Sequence, residues 1–331
     1  MNALRMIIAS PSPLERSRLA KALAGDPRMT VIAQTADLSE TYTRAEQMEP
    51  DIVLLAAAYT GVAEFACMEA LFDALEISWL AIGAEGAARP AVPMIAATMT
   101  PDQLLQRIAE ARRLRAMPGR GRPRPARQAV PHLRRDRIVL IGASTGGVVA
   151  LLTVLGSFPA DCPPTAIVQH TGRGYSESLI KLLDRNCAAR VVSAAEGLVL
   201  QPGSVCVAGG SAGHLRLLPG RPLRCAITPG APVSGHMPSV DALFRSFLPV
   251  AGQVVAVVLT GMGRDGAEGL LDLRRAGAHT IGQDEASSVV YGMPRAAAEI
   301  GAVQQQLGLD RIGPEILRLC GSDSALRPVT R

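Results

Sequence analysis

The first 115 residues alternate short apolar runs with longer stretches whose apolar side chains recur at helix-compatible spacing. Ile52 to Leu55 is an apolar run of the length of a buried strand, whereas Leu14, Leu19 and Leu23 fit a helix. The pattern predicts strands near residues 4–10, 29–33, 52–55, 79–82 and 93–97, and helices near 13–23, 38–48, 62–75 and 101–114. Strands that alternate with helices predict a doubly wound parallel-sheet domain over residues 1–115.

The second half of the chain repeats this alternation and adds a group of short strands. Strands are predicted near residues 138–143, 164–170, 191–192, 204–208, 214–218, 223–227, 254–260 and 280–282. Helices are predicted near residues 148–155, 175–183, 239–248 and 267–276, followed by one final helix from Pro294. The pattern is typical of a three-layer α/β domain with a mainly parallel sheet, which we assign to residues 137–318.

Residues 116–136 separate the two halves and have a different composition. The stretch 112–137 holds ten arginines against one acidic residue, Asp136, and several prolines and glycines interrupt it. The formal net charge of +5 therefore comes from this stretch, and the rest of the chain is net negative. Like charges, proline and glycine all oppose compaction, so we expect an extended linker. An acidic docking partner is the alternative; nucleic acid is disfavoured because no aromatic residues are interleaved for base stacking.

The composition limits the class of protein. The chain is 48% hydrophobic but only 3% aromatic, which suits buried parallel strands. No apolar run approaches the roughly 18 residues that a spanning helix needs, and no signal peptide is evident, so we expect no membrane insertion. The six cysteines are scattered without a C-x-x-C pair. They predict reduced thiols in a cytoplasmic protein, with Cys206 and Cys225 in the core, and no metal site.

A glycine-bracketed serine follows the predicted strand 138–143. The string Gly142-Ala143-Ser144-Thr145-Gly146 matches the G-x-S-x-G elbow, in which a sharp turn exposes a nucleophilic serine. It also resembles a loosened glycine-rich dinucleotide loop. A dinucleotide site needs an acidic residue at the end of the next strand to hold the ribose, and that strand ends in His170 instead. The oxidoreductase hypothesis is therefore the weaker one.

Ser144, His170 and Asp265 each lie at or just beyond the carboxyl end of a predicted apolar strand. In a parallel sheet these ends share one edge, where ligands bind. Serine, histidine and aspartate at such an edge can serve as nucleophile, general base and the group that orients the base. The chain order differs from that of α/β-hydrolases, in which the acid precedes the histidine.

Residues 138–303 resemble the catalytic domain of chemotaxis protein-glutamate methylesterases of the CheB type. The matching strings are IGASTGG (141–147), VQH (168–170), HMPSVD (236–241), LTGMGRDGA (259–267) and QDEASSVVYGMPR (283–295). The resemblance implies that Ser144 is the nucleophile, His170 the base and Asp265 its orienter, with Thr145 and the Met262 N–H helping to stabilise the oxyanion. It implies no cofactor, and it leaves His214, His236, Asp241 and Asp284 as supporting or structural residues.

The same resemblance implies a substrate: γ-methyl esters of glutamate on the cytoplasmic helices of chemoreceptors, hydrolysed to glutamate and methanol. Deamidation of receptor glutamines is a second implied activity. Two departures bear on the receptor target. Residues 171–176 replace the family's usual Met-Pro and aromatic-Thr pairs, and Met237 stands where the family has arginine.

Residues 1–115 resemble a response-regulator receiver domain that lacks its chemistry. Ala56 occupies the phosphoacceptor position at the end of the third strand, and Ser10 to Ser12 replace the acidic pair. The lysine expected after the fifth strand is also missing. The missing residues therefore imply that phosphorylation control is lost. The retained receiver-like fold and basic linker favour a protein partner as the activator, and constitutive activity is the alternative if this domain does not cover the site. A non-catalytic signalling scaffold is the alternative to an esterase.

Overall fold

The structure is a computed structural model, and it describes residues 3–62, 65–83, 94–95, 100–115, 136–171, 176–210 and 212–321. The chain divides into two compact units, Met1–Arg122 and Pro123–Arg331. Residues 116–135, which make up nearly all of the predicted linker, lie outside the described residues, as do residues 172–175. Among the described helices, none is long and apolar enough to span a membrane.

The N-terminal unit contains a parallel sheet of five strands in the order β2-β1-β3-β4-β5. The strands are β1 (Leu4–Ala9), β2 (Met29–Thr35), β3 (Ile52–Ala56), β4 (Ser78–Ile82) and β5 (Met94–Ile95). The helices are α1 (Pro13–Leu23), α2 (Leu38–Met48), α3 (Phe65–Ala74) and α4 (Pro101–Arg115). This order is that of flavodoxin-like doubly wound sheets, so the predicted fold class is confirmed.

Capping residues that can be read in the sequence set the starts of α1 and α2. The Ser12 side chain accepts a hydrogen bond from the Glu15 N–H at 3.3 Å, and Pro13 occupies the first helical turn. The Asp37 carboxylate accepts from the Glu40 N–H at 2.7 Å. Each cap satisfies a backbone donor that the helix leaves unpaired, which is worth about 1 kcal/mol.

The C-terminal unit contains a parallel sheet of seven strands in the order β14-β13-β12-β6-β7-β9-β8. The strands, including an antiparallel β10–β11 hairpin outside this sheet, are β6 (Ile138–Ala143), β7 (Thr165–Gln169), β8 (Arg190–Ser193), β9 (Ser204–Ala208), β10 (His214–Leu218), β11 (Arg224–Thr228), β12 (Val254–Val258), β13 (His279–Gln283) and β14 (Gln305–Leu307). The helices are α5 (Gly147–Leu155), α6 (Ser176–Asn186), α7 (Val240–Arg245), α8 (Ala267–Arg275), α9 (Met293–Glu299) and α10 (Leu309–Cys320).

The three central strands of this sheet, β12, β6 and β7, are buried along their whole length. Helices α7 and α8 cover one face and contribute Phe244 and Leu270 to the core, both without solvent exposure. Burying such a side chain contributes roughly 1.5–3 kcal/mol each relative to exposure. The core therefore holds the strand ends rigidly at the edge where the polar residues lie.

A helix is present at Pro294 as predicted, but the prediction that it is the final element was wrong, because an edge strand and another helix follow it. Helix α9 ends at Glu299, and Gly301 adopts a φ of 71° that a helix cannot continue through. Strand β14 then pairs with β13, and its polar sequence hid it. Pro314 lies inside α10 and masked the helical signal there. The helix predicted near 239–248 is also shorter, because a 3₁₀ helix (Leu248–Gln253) follows α7.

Candidate active site

Three adjacent strands of the C-terminal sheet carry polar residues at their carboxyl ends. Strands β12, β6 and β7 lie side by side and run parallel. Ser144 directly follows β6, His170 directly follows β7, and Asp265 lies in the loop between β12 and α8. The backbones are joined at this point, since the His170 N–H donates to the Ala143 carbonyl at 3.0 Å. The sheet register therefore brings the three predicted residues to one edge.

Ser144 is held by contacts from both neighbouring strands. Its N–H donates to the Thr260 carbonyl at 3.0 Å, and its own carbonyl accepts the Gln169 side-chain amide at 2.8 Å. Ser144 is only 8% exposed. Gln169 is fully buried, and sequence reasoning had assigned it no role. The hydrogen bond from the Gln169 side chain helps to fix the turn that contains Ser144.

Glycines make this close approach possible. Gly146 has a φ of 87°, which L side chains rarely adopt, and a Cβ there would lie 2.7 Å from the Val289 Cβ. A Cβ on Gly261 would lie 2.6 Å from the Ser144 Cβ. The glycine-rich strings thus meet in space: the turn after β6 packs directly against the loop after β12.

Asp265 is fully buried and surrounded by donors. Its carboxylate accepts from the Ser239 hydroxyl at 2.8 Å, the Val240 N–H at 2.8 Å and the Asp241 N–H at 3.0 Å. It also contacts His170 Nε2 at 2.9 Å. Burial alone would raise the pKa of Asp265, but the hydrogen bonds from His170 and from the Asp241 and Val240 N–H groups hold it below its ordinary value. The carboxylate is therefore ionised at neutral pH.

His170 has one nitrogen committed and one available. With Asp265 ionised, Nε2 carries the proton and donates to Oδ2, so Nδ1 is left as an acceptor. Nδ1 is buried and has no hydrogen-bond partner among the described residues. Nδ1 thus makes no hydrogen bond to Ser144 in this structure, although both residues lie at the carboxyl ends of adjacent strands. In the serine proteases the two nitrogens have the reverse assignment.

The loop after β12 is fixed by its backbone while Met262 points outward. The Gly261 carbonyl accepts N–H groups from Gly292 at 3.1 Å and Met293 at 2.8 Å. The Met262 side chain is 73% exposed. Thr145, in the turn after Ser144, receives a hydrogen bond at its carbonyl from the Thr260 hydroxyl at 2.9 Å. Both predicted oxyanion residues therefore lie on segments that hydrogen bonds anchor near the serine.

Comparison with known proteins gives a consistent result. Residues 139–316 match the family model described as CheB methylesterase. The chain is 40% identical to the Caulobacter vibrioides protein-glutamate methylesterase/protein-glutamine glutaminase 1, over 97% of this chain and 99% of that protein. The Gluconobacter oxydans protein-glutamate methylesterase/protein-glutamine glutaminase is 54% identical over 59% of this chain and 56% of its own length. The chain is also similar to the crystal structure of the Thermotoga maritima CheB methylesterase catalytic domain. The match covers 98% of that chain and 55% of this one, with a TM-score of 0.54 and 30% sequence identity.

The chain belongs to the CheB methylesterase family. The predicted resemblance and the predicted fold class are confirmed. Nothing in the comparisons favours the oxidoreductase or scaffold hypotheses, and the relatives carry enzyme names.

Two further residues of this CheB-family site were predicted only as supporting or structural. The His236 ring stacks on the His170 ring with centroids 3.8 Å apart and an interplanar angle of 5°. Burial, followed by the neighbouring His170, lowers the pKa of His236. The buried Asp241 accepts from the Gly269 N–H at 2.7 Å and the Ser234 hydroxyl at 2.8 Å. Burial raises the pKa of Asp241, and the negative charge of Asp265 raises it further. The hydrogen bonds from Gly269 and Ser234 oppose this rise without cancelling it.

The other supporting residues hold loops around the site. His214 Nδ1 accepts from the Ser239 N–H at 3.2 Å and so helps to fix the start of α7. Asp284 accepts the Ser287 hydroxyl at 2.6 Å in the loop after β13. The Cys206 and Cys225 sulfurs lie 3.6 Å apart in the core. All five cysteines whose side chains are described are buried, and none of them forms a disulfide.

In the N-terminal unit, the corresponding edge has no acidic residue at the ends of β1 and β3. Strand β3 ends at Ala56, and Ser10 follows β1. The Ser10 hydroxyl donates to the Glu15 carboxylate in the first turn of α1, a contact that sequence reasoning missed. Asp51 lies at the opposite end of β3 and accepts from the Arg5 N–H at 2.8 Å. Among the described residues, no group of three His, Cys, Asp or Glu side chains could hold a metal ion.

Proposed function

We propose that this chain hydrolyses γ-methyl esters of glutamate in proteins, with Ser144 as nucleophile, His170 as general base and Asp265 as the residue that orients the base. The observation that carries the proposal is the His170 Nε2–Asp265 Oδ2 hydrogen bond of 2.9 Å, formed at the strand edge beside Ser144. It leaves His170 Nδ1 buried and without a hydrogen-bond partner among the described residues, at the sheet edge that also carries the nearly buried Ser144.

Acylation starts when His170 Nδ1 accepts the Ser144 Oγ proton while Oγ bonds to the ester carbonyl carbon. The negative charge moves to the carbonyl oxygen, where the Met262 N–H and Thr145 would stabilise it. The C–O bond to the methoxy group then breaks, and the proton on His170 passes to that oxygen to release methanol. Asp265 stabilises the imidazolium that forms between these steps and keeps its own charge.

Deacylation repeats the sequence with water. His170 removes a proton from the water as its oxygen attacks the acyl carbon, and the Ser144–acyl bond breaks as His170 returns the proton to Oγ. The product is protein-bound glutamate. With a glutamine side chain, the leaving group is ammonia, which matches the second activity in the relatives' names.

We further propose chemoreceptor cytoplasmic helices as the substrate and the cytoplasm as the place of action. The relatives named for glutamate methyl ester hydrolysis support the substrate, and the described cysteines, none of which forms a disulfide, support the cytoplasm. We also propose that a protein partner, and not phosphorylation, controls the enzyme, because Ala56 can accept no phosphoryl group. The domain limits of 1–115, 116–136 and 137–318 remain predictions.

The test uses a methylated cytoplasmic fragment of a chemoreceptor and measures released methanol together with the mass of the modified receptor peptides. We expect methanol in proportion to the methyl groups lost, and a glutamine-to-glutamate mass change if deamidation also occurs. Folded protein that releases no methanol from several methylated receptors, although the receptors are accessible to another methylesterase, would overturn the proposal.

A further inference from the structure

His236 covers one face of the His170 ring, and no step of the proposed reaction uses it. The two imidazoles are nearly parallel, with an interplanar angle of 5° and centroids 3.8 Å apart. His170 follows β7, whereas His236 lies in the segment between β11 and α7. The contact therefore joins two parts of the chain that are far apart in sequence.

A tight turn presents His236 to His170. Val233 and His236 exchange two backbone hydrogen bonds, with the Val233 N–H donating at 3.1 Å and the His236 N–H donating at 3.0 Å. The two central residues, Ser234 and Gly235, have φ of 51° and 81°. Positive φ at both positions is what a type I′ turn requires, and it is costly for serine.

The turn is also tied to the carboxylate network. The Ser234 hydroxyl donates to Asp241 Oδ2 at 2.8 Å, and the Asp241 N–H donates to Asp265 Oδ1 at 3.0 Å. The Gly269 N–H holds the other Asp241 oxygen at 2.7 Å. Asp241 thereby fixes the position of the His236 turn relative to Asp265, which contacts the edge of the His170 ring.

A hydrogen bond at one ring atom leaves the ring free to tilt about the donor–acceptor line. The Nε2–Asp265 bond is the one side-chain hydrogen bond of His170 among the described residues. A second flat ring packed on its face, as the stacked His236 ring is, restricts that tilt. Burial and the neighbouring His170 lower the pKa of His236 against the opposing effect of Asp265, so protonation of the stacked ring is disfavoured.

We propose that His236 is a positioning residue: its ring, stacked on His170, holds the base in the plane that directs Nε2 at Asp265 and Nδ1 at Ser144. The inference rests on the proposed function, because it concerns the same base.

The experiment measures kcat and KM for methanol release from a methylated receptor fragment with the full-length protein. We expect His236→Ala to lower kcat by about 10- to 100-fold and leave KM within about twofold, because only the orientation of the base changes. His236→Phe should recover most of the lost kcat, since a phenyl ring can stack on His170. Ser234→Ala, which frees the turn without touching either ring, should lower kcat by a smaller factor.

His279→Ala is the matched control. His279 begins β13 at the opposite edge of the sheet, and we expect its removal to leave kcat unchanged. The inference fails if His236→Ala keeps wild-type kcat, if its loss lies in KM, or if His236→Phe is as slow as His236→Ala. Absence of methanol release by the wild-type protein would instead overturn the proposed function.

Discussion

The two units have equivalent sheet edges, at the carboxyl ends of their parallel strands, but they carry different residues there. Both contain parallel sheets with polar residues beyond the carboxyl ends of buried strands. In the C-terminal unit, a buried carboxylate receives four hydrogen-bond contacts and orients a histidine. In the N-terminal unit, β3 ends in Ala56, and the Ser10 hydroxyl binds Glu15.

The difference shows that architecture supplies the place for a site but not the site itself. An active edge needs an ionised group held by donors that the fold provides, here the backbone N–H groups of Val240 and Asp241. Asp265 has such donors. Ala56 offers no carboxylate for a donor or a cation to bind. We therefore expect substitutions at the two edges to differ by orders of magnitude in their effect on hydrolysis.

The largest effect is expected at His170. Residues of a triad act as a unit, so His170→Ala should lower turnover by about 10⁴- to 10⁶-fold, measured as methanol release. Asp265→Asn should cost somewhat less. Activity should still fall, because the asparagine NH₂ group would face a donor in either orientation of the amide. The Val240 N–H donates to one carboxylate oxygen of Asp265 and the Asp241 N–H to the other.

Asp272→Asn is the control for the second substitution. Asp272 forms a partly exposed ion pair with Arg245 on the surface of α8, so its loss should leave turnover unchanged. Normal turnover in Asp265→Asn would contradict the role assigned to this carboxylate.

A smaller loss is expected when the loop after β12 is pushed away from Ser144. A Cβ on Gly261 would lie 2.6 Å from the Ser144 Cβ, so Gly261→Ala must displace one of the two segments. We expect about a 100-fold fall in turnover with the fold retained. Gly252→Ala adds the same methyl group where nothing lies within 4 Å, and it should have no effect. Equal activity of the two variants would show that the contact does not matter.

The buried carboxylates Asp265 and Asp241 should influence stability with opposite signs as pH changes. The lowered pKa of Asp265 means that its contribution is present above its ordinary pKa and is lost as pH falls through the folded-state value. The raised pKa of Asp241 means that its contribution is present below its ordinary pKa and is lost as pH rises through the folded-state value.

Urea unfolding between pH 3 and pH 7 can separate these contributions, because this range spans the ordinary pKa of an aspartate carboxyl group, about 4. Asp265→Asn should lose stability mainly at pH 7, whereas Asp241→Asn should gain stability at pH 7 relative to pH 3. Trp79, the single tryptophan, lies in the N-terminal unit, so its fluorescence identifies the transition that these substitutions leave alone. A parallel pH dependence for both variants would contradict the assigned directions.

The smallest effect is expected from phosphodonors. Acetyl phosphate with Mg²⁺ should leave the methanol release of the full-length protein unchanged, because Ala56 offers no phosphoacceptor. A fragment beginning near Arg134 should be equally unresponsive, and it should be faster than the full-length protein if the N-terminal unit obstructs the site. A several-fold rise in the full-length protein alone would show that the switch is retained.

Sequence reasoning succeeded where one local signal decides the structure. The bounds predicted for α1 and α2 agree with the structure because Ser12, Pro13 and Asp37 are start signals visible in the chain. The location of Ser144, His170 and Asp265 at one sheet edge could be predicted because each follows a strongly apolar strand. Parallel strands then bring such ends to the same edge without further information.

It failed where the outcome depends on contacts between distant segments. The polar strand β14 exists because β13 offers it hydrogen bonds, and no apolar pattern announces it. The stacking of His236 on His170 depends on where the segment before α7 lies over the sheet edge. Gln169 sits inside a buried strand, and its clamp on the Ser144 carbonyl follows from the turn geometry of another strand.

The most direct test of the central claim compares methanol release by Ser144→Ala and Ser157→Ala on a methylated receptor fragment. Ser157 follows α5 at the opposite edge of the sheet, where its hydroxyl donates to the Val154 carbonyl. We predict that Ser144→Ala loses about 10⁴- to 10⁶-fold in turnover while both variants keep the wild-type circular dichroism spectrum, and that Ser157→Ala retains wild-type activity. Near-normal methanol release by Ser144→Ala would contradict the mechanism.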